Sequence, residues 1–169
     1  MSVAISRQQF FRGDFKGNSR KIRPPWSQDE FYFTESCTSC GHCIEICPEH
    51  ILKSGRAGYP FVDFDSGECT FCGACAKHCE TDALLYSPKL KPWNLKIQIS
   101  DNCLAKNNVI CVTCKEQCEK NAIIFNPATG GISQPVVTLS DCTGCGACYH
   151  PCPVNAISII PFPEQEEAI

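Results

Sequence analysis

The chain repeats one short arrangement of polar and apolar positions four times. Each copy begins with a polar or proline-containing turn and runs into apolar residues that are typical of the start of a short β-strand. The four copies are residues 48–52, 80–84, 119–123 and 153–157. Turn-forming residues follow the first and third copies, and each of these turns leads to another strand-like run, at 59–64 and 135–139. The pattern therefore predicts two similar halves, each with a β-hairpin.

Sixteen cysteines form four motifs of four, one immediately before each copy of this arrangement. The motifs are Cys37, Cys40, Cys43, Cys47; Cys69, Cys72, Cys75, Cys79; Cys103, Cys111, Cys114, Cys118; and Cys142, Cys145, Cys148, Cys152. Three motifs read C-x2-C-x2-C-x3-C, the run that holds a 4Fe-4S cluster in bacterial ferredoxins, and proline follows the first and the last. The third motif has seven residues, instead of two, between Cys103 and Cys111. Together they predict four 4Fe-4S clusters and an electron carrier.

The cysteine spacing has a mechanical reason. Three thiolates separated by two residues cannot share one face of a helix or strand, so the chain must curl around a larger object such as a cuboidal cluster. In two-cluster ferredoxins the fourth ligand is the last cysteine of the other motif. This exchange predicts four ligand sets, which we number 1 to 4: Cys37, Cys40, Cys43, Cys79; Cys69, Cys72, Cys75, Cys47; Cys103, Cys111, Cys114, Cys152; and Cys142, Cys145, Cys148, Cys118.

Disulfides and zinc are the alternative uses of so many cysteines. A disulfide framework has no reason to repeat a two-two-three spacing. A four-cysteine zinc site needs two C-x2-C pairs, and it leaves the third closely spaced cysteine without a role. Iron-sulfur clusters are therefore favoured over both.

The expected fold class is α+β, with two tandem bacterial-type two-cluster ferredoxin modules that contain short helices and β-hairpins. The predicted organisation is a basic flexible arm at 1–30, a first module at 31–87, a linker at 88–97, a second module at 98–160 and an acidic tail at 161–169. An apolar core alone is marginal in a module of roughly sixty residues. We therefore expect the clusters to serve as the core and the cluster-free chain to be largely disordered.

Charge is distributed unevenly along the chain. Residues 1–27 carry a net charge of +5, whereas residues 28–169 carry −8. Because the acidic body would repel phosphate, nucleic acid is not an expected partner. The apolar runs are much shorter than the about 20 residues of a membrane span, and no export signal with an apolar segment is found. We therefore expect no membrane span and a cytoplasmic protein, a compartment that keeps thiols reduced.

Motifs for catalysis are not found in the sequence. It contains no Ser-His-Asp pattern, no Walker A loop and no GxGxxG run. Since cysteines occupy all the expected ligand positions, the four histidines are expected to lie at the surface or beside the ligands. We expect an electron-transfer or accessory protein without a substrate site of its own.

The four motifs, the gap in the third motif and the segment Arg23-Pro24-Pro25-Trp26-Ser27 together resemble the NapF family of ferredoxin-type proteins, accessory proteins of the periplasmic nitrate reductase system. The resemblance extends from Arg7 to Ile157. It implies a cytoplasmic protein that contacts the catalytic subunit of periplasmic nitrate reductase before export and helps it to mature. The arm would then bind this partner through Arg7, Arg12, Arg20, Lys21, Arg23 and Trp26.

Two other functions stay open from the sequence. The chain could be the electron-transfer subunit of a membrane-associated oxidoreductase complex. It could also be an assembly chaperone in which the clusters are purely structural. Each of them uses the same sixteen cysteines.

Overall fold

The computed structural model describes residues 21–127 and 131–162. The chain divides into two compact units: unit 1 is Met1–Ser66 with Thr70–Trp93, and unit 2 is Gly67–Cys69 with Asn94–Ile169. Apart from Cys69, which belongs to unit 2, each unit contains the cysteines of one predicted pair of motifs.

Unit 1 consists of short elements that alternate with the cysteine loops. Its elements are α1 (Glu30–Ser36), α2 (His42–Glu45), β1 (Leu52–Ser54), a 3-10 turn (Arg56–Gly58), β2 (Pro60–Val62) and α3 (Ala74–Lys77). Strands β1 and β2 form the predicted hairpin, with Leu52 opposite Val62. Both residues are buried, and they lie on the same face because directly opposite residues of an antiparallel pair point the same way.

Helix α1 packs against this hairpin. The Asp29 side chain caps the helix by accepting hydrogen bonds from the backbone N–H groups of Phe31 and Tyr32, at 3.1 and 3.2 Å. On the inner face Phe33 is fully buried, and the Tyr59 hydroxyl donates to the Thr34 carbonyl oxygen at 3.0 Å. This packing fixes the end of α1, and with it the start of the first cysteine motif at Cys37.

The segment 22–27, before α1, packs against the rest of unit 1, although the sequence analysis places it in the flexible arm. Ser27 forms an antiparallel bridge with Leu84, and the Leu85 N–H donates to the Trp26 carbonyl oxygen at 2.9 Å. Trp26 is 8% exposed, and Pro24 is fully buried. The boundary predicted at residue 30 is therefore corrected within the described residues: the segment 22–27 is part of unit 1, because it supplies backbone pairing and apolar surface to it.

Unit 2 has the same order of hairpin and loops, with a longer closing sheet. Its elements are β3 (Leu95–Ile99), a 3-10 turn (Ala105–Asn107), α4 (Thr113–Glu116), β4 (Ile123–Asn126), β5 (Gln134–Val137) and β6 (Ile157–Pro161). Strands β4 and β5 form the predicted hairpin, and β3 pairs antiparallel with β6. Leu95, predicted in the linker, lies opposite Pro161, predicted in the tail. Both predicted boundaries thus fall inside a strand pair.

The apolar core of unit 2 includes cysteines. Ile97, Ile123 and Ile157 are buried together with Cys142 and Cys148. A second, smaller cluster contains Cys103. The cysteine side chains therefore lie where a larger domain would place its aliphatic core.

Candidate iron-sulfur sites

Three of the four motifs contain a short helix that carries the third cysteine. Helices α2, α3 and α4 hold Cys43, Cys75 and Cys114, respectively. In the fourth motif the corresponding residues form turns, with the Tyr149 N–H donating to the Gly146 carbonyl oxygen at 2.8 Å. A short helix thus carries the third cysteine in three motifs, and turns hold it in the fourth.

Three of the four cysteine loops curl because two residues in each adopt left-handed backbone angles. In the first, second and fourth motifs the residue before the second cysteine has a φ of 58° (Ser39), 55° (Phe71) and 70° (Gly144). The residue after that cysteine is always glycine, with φ between 74° and 92°. Such turns direct successive backbone N–H groups toward one point, which suits the sulfur atoms of a cluster.

In unit 1 the structure brings together the cysteines of set 1. The Cys43 thiol interacts electrostatically with Cys37, Cys40 and Cys79, and also with Cys75. Burial, reinforced by these neighbouring thiols, raises the pKa of Cys43 to about 12. Burial also raises the pKa of Cys37, against the opposing hydrogen bonds of Ser39. The last cysteine of the second motif therefore lies beside the first motif, as exchange of the fourth ligand requires.

The cysteines of set 2 are divided between the two units. Cys47, Cys72 and Cys75 belong to unit 1, where Cys47 and Cys75 are buried and Cys72 is exposed. Cys69 belongs to unit 2, where its backbone N–H donates to the Cys145 carbonyl oxygen at 2.8 Å.

The cysteines of set 3 line one cavity in unit 2. Its wall includes all four predicted ligands: Cys103, Cys111, Cys114 and Cys152. Most of the remaining wall is apolar, with Ile99, Phe125 and Val154 among the lining residues. Burial, and then the neighbouring Cys103 and Cys111, raises the pKa of Cys114 to about 11. Despite the seven-residue gap, Cys103 therefore lies with the rest of its set.

The cysteines of set 4 also lie close together in unit 2. Cys148 interacts electrostatically with Cys145, Cys142 and Cys118, and with Cys114 of set 3. Burial followed by these interactions raises the pKa of Cys148 to about 12. Burial raises the pKa of Cys145 as well, and the Glu68 carboxylate and Cys118 act in the same direction.

Several groups that the sequence analysis missed approach the sulfur atoms. The backbone N–H groups of Ala122 and Ala156 donate to Sγ of Cys118 and Cys152, at 3.3 and 3.2 Å. Thr113 Oγ1 lies 3.7 Å from Cys111 Sγ, and the equivalent distance from Thr81 to Cys79 is 3.5 Å. A sequence signal exists for the hydroxyls, because threonine stands two residues after each of these cysteines.

The donor set fits a cluster of iron and sulfide. Thiolates are the ligands that such clusters use, and N–H groups donating to their sulfur atoms are the usual supporting interactions. In residues 21–127 and 131–162, no group of three or more His, Cys, Asp or Glu side chains is gathered tightly enough to enclose a single metal ion. A cuboidal cluster is larger than one ion and is ligated at four separate corners.

The structure assigns other contacts to two of the predicted partner-binding residues. The Arg23 guanidinium forms two hydrogen bonds with the Glu30 carboxylate, at 2.9 and 2.6 Å, and donates to the Pro60 carbonyl oxygen at 3.1 Å. It also lies over the ring of Phe33, 4.8 Å from the centroid. Trp26 is buried, and its indole N–H donates to the Ser87 carbonyl oxygen. Arg23 and Trp26 therefore make structural contacts within unit 1, and their expected role in binding the partner stays a prediction.

Four other residues are predicted to bind the partner, and only Lys21 among them lies in the part of the chain that the structure describes. The Lys21 ammonium lies 3.5 Å from the centroid of the Phe61 ring. Arg7, Arg12 and Arg20 lie outside the described residues.

None of the helices within the described ranges is long and apolar enough to cross a membrane.

Comparison with known proteins gives the chain clear relatives. Residues 36–83 match the 4Fe-4S dicluster domain, and residues 135–158 match the 4Fe-4S binding domain. The chain is 45% identical over 159 residues to the ferredoxin-type protein NapF of Escherichia coli K12, covering 94% of this chain and 96% of the relative. Identity to NapF of Haemophilus influenzae is 43%, covering 96% and 97%. The methylamine utilization ferredoxin-type protein MauM of Paracoccus denitrificans is 29% identical, covering 85% and 73%.

These matches bear on the cofactor and the fold class. The two matched domains and the sixteen cysteines make this chain an iron-sulfur protein of the 4Fe-4S type, with ferredoxin-type domains. The small helices and two-stranded sheets agree with a small α+β fold. The third cysteine motif lies outside both matched ranges.

Proposed function

Because the chain belongs to the NapF family of ferredoxin-type proteins, we propose that it is a cytoplasmic polyferredoxin with four 4Fe-4S clusters in two tandem bacterial-type modules. Sets 1 to 4 hold one cluster each. The protein transfers single electrons, assists maturation of the catalytic subunit of periplasmic nitrate reductase before that subunit is exported, or does both.

The observation that carries the cluster proposal is the cavity in unit 2. It brings Cys152, the last cysteine of the fourth motif, together with Cys103, Cys111 and Cys114 of the third. Cys152 is at least 38 residues from the other three cysteines in sequence, and ligation of one object by all four accounts for their meeting in an apolar cavity. The reciprocal approach of Cys118 to Cys145 and Cys148 supports the same exchange.

The residues of the chain hold, insulate and position the cofactor. The thiolates bind iron, and backbone N–H groups such as those of Ala122 and Ala156 hold the ligand sulfur atoms in place. Apolar walls such as Ile99 and Phe125 exclude water from the site. When bound, a 4Fe-4S cluster supplies one-electron redox chemistry. Because buried thiols with raised pKa values must lose their protons to bind metal, cluster assembly releases protons.

Anaerobic purification followed by iron and sulfide analysis tests the number of clusters and the ligand sets. Four clusters require 16 iron and 16 sulfide per chain. The double variant Cys111→Ser/Cys152→Ser, within set 3, is expected to lose no more iron than either single variant. Cys118→Ser/Cys152→Ser, across sets 3 and 4, is expected to lose twice as much. Additive loss in the first pair, or a zinc-loaded protein without sulfide, would overturn the proposal.

Binding of the partner requires a separate experiment. Deleting residues 1–27 is unsuitable, because the deletion removes Trp26 from the interior of unit 1. We instead expect the triple charge reversal Arg7→Glu/Arg12→Glu/Arg20→Glu to abolish pull-down of the catalytic-subunit precursor while iron content stays normal. Lys89→Glu/Lys91→Glu is the control, since both lysines are exposed and lie outside the cysteine motifs. Undiminished capture by the triple variant would exclude the arm as the binding segment.

Activation of the reductase in cells separates electron transfer from a purely structural role. Cys142→Ser is expected to impair activation of the reductase while precursor binding is retained. Full activation by this variant would favour the chaperone with structural clusters. Recovery of the chain in the membrane fraction, bound to other redox subunits, would favour the oxidoreductase complex.

A further inference from the structure

Two lysine side chains donate hydrogen bonds to the main chain of cluster-ligating cysteines. In unit 2 the Lys96 ammonium donates to the carbonyl oxygen of Cys142, the first cysteine of the fourth motif. In unit 1 the Lys77 ammonium donates to the carbonyl oxygen of Cys72, at 3.1 Å. The two lysines come from different elements, β3 and α3, so this contact is not a consequence of the sequence repeat.

The first cysteine of the third motif has a neutral donor at the same place. The Asn107 side-chain amide donates to the Cys103 carbonyl oxygen at 2.9 Å. Cys103 and Cys142 occupy equivalent positions in their motifs. Within unit 2, set 4 therefore receives a cation where set 3 receives an uncharged amide.

We propose that Lys96 and Lys77 are potential-setting residues, which raise the reduction potentials of the clusters held by sets 4 and 2. The inference rests on the proposed cluster function. Reduction adds a negative charge to a cluster, and a nearby ammonium stabilises that charge more than it stabilises the oxidised form. Net charge and hydrogen bonding are among the factors that set cluster potentials. Each lysine thereby makes its cluster easier to reduce.

The two lysines are expected to differ in strength. The Lys96 contact is partly buried, whereas the Lys77 ammonium is at an exposed position. Solvent and salt screen an exposed charge more strongly than a partly buried one. Lys77 is also held over the Tyr86 ring, 4.5 Å from the centroid, which fixes the ammonium beside the second motif.

One carboxylate opposes Lys96. Glu68 interacts electrostatically with Cys145, another ligand of set 4. Its negative charge lowers the potential of the same cluster. The contribution of Lys96 is therefore the difference in midpoint potential between the wild type and a variant without the Lys96 charge. The effect of Glu68 is present in both proteins and cancels in that difference.

An EPR-monitored redox titration of the anaerobically purified full-length protein tests the proposal. Lys96→Met is expected to lower the midpoint potential of one spectral component, and Lys77→Met to lower a different component by a smaller amount. Lys96→Arg retains the charge and is expected to leave the potential near that of the wild type. Lys91→Met, an exposed lysine outside the motifs, is the matched charge-removal control.

The outcomes separate this inference from the proposed function. A wild-type protein without four clusters by iron and sulfide count refutes the proposed function before any variant is made. With full iron content, an unshifted titration of Lys96→Met overturns the inference. It is also overturned if Lys96→Arg shifts as far as Lys96→Met, because the contact is then structural. If Lys96→Met loses iron, Lys96→Gln decides, since it retains a neutral donor and is expected to show the same fall in potential.

Discussion

Replacing Trp26 tests whether the segment before α1 is part of unit 1. Trp26 is 8% exposed, its ring lies 5.1 Å from that of Tyr86 in an edge-on arrangement, and its indole N–H donates to the Ser87 carbonyl oxygen at 3.2 Å. A buried aromatic side chain removes about 150–250 Å² from water, which is worth about 4–6 kcal/mol at ~25 cal/mol/Å². This figure is an upper bound because unfolded chains already bury part of the surface.

Two further terms belong to the same substitution. The indole hydrogen bond contributes about 1 kcal/mol and the edge-on ring pair about 0.5–1.5 kcal/mol. Alanine retains part of the contact area, and its neighbours relax partly into the space. The expected loss for Trp26→Ala is therefore about 3–5 kcal/mol in the free energy of unfolding, which agrees with the range for large aromatic deletions.

Urea titration of the anaerobic holo-protein measures this loss, with cluster absorbance and far-UV circular dichroism as parallel readouts. With an m-value of about 2 kcal/mol/M, the midpoint of unit 1 is expected to fall by about 2 M. Trp26→Phe retains most of the apolar contact and is expected to lose about 1–2 kcal/mol. Tyr32→Ala is the aromatic control, because Tyr32 is 57% exposed. If Trp26→Ala behaves like Tyr32→Ala, then Trp26 does not contribute to the stability of unit 1, and the segment is a flexible arm after all.

Three further variants follow from the same contacts. Gly144→Ala is expected to displace the fourth cysteine loop and reduce iron content, because the added Cβ would lie 2.6 Å from the Leu95 carbonyl oxygen. Gly41→Ala is the control, since Gly41 has a similar φ and no atom lies within 4 Å of its added Cβ. Equal iron loss in both variants would refute the steric argument. His50→Asn is expected to stabilise unit 1 by up to about 1 kcal/mol in thermal unfolding, because His50 has a φ of 53° and asparagine tolerates left-handed angles better. The equivalent residues of the third and fourth motifs are Asn121 and Asn155. A lower melting temperature would contradict this prediction. Arg23→Met is expected to destabilise unit 1 by about 1–2 kcal/mol in urea without weakening precursor capture, because its guanidinium forms hydrogen bonds within the unit. Loss of capture at normal stability would show instead that Arg23 contacts the precursor.

The sequence was sufficient for the cysteine motifs, the two hairpins and the family. Local spacing carries this information, because a loop that ligates three corners of a cluster needs cysteines at fixed intervals, and a hairpin needs turn residues between strand-like runs. The gap between Cys103 and Cys111 shows the strength of that signal. Five extra residues changed the loop, yet all four members of set 3 line one cavity. Which cysteines ligate which cluster stays a prediction.

Only the tertiary structure revealed the contacts of Arg23, Trp26 and the lysines beside the cysteines. A basic, proline-rich segment has the same local pattern whether it is solvated or packed against a sheet, and the Leu84 backbone that pairs with Ser27 is 57 residues away in sequence. Likewise, nothing in the neighbourhood of Lys96 predicts a hydrogen bond to Cys142, which is 46 residues distant. Such contacts depend on how the chain closes on itself, because they join groups whose spacing along the sequence follows no local period.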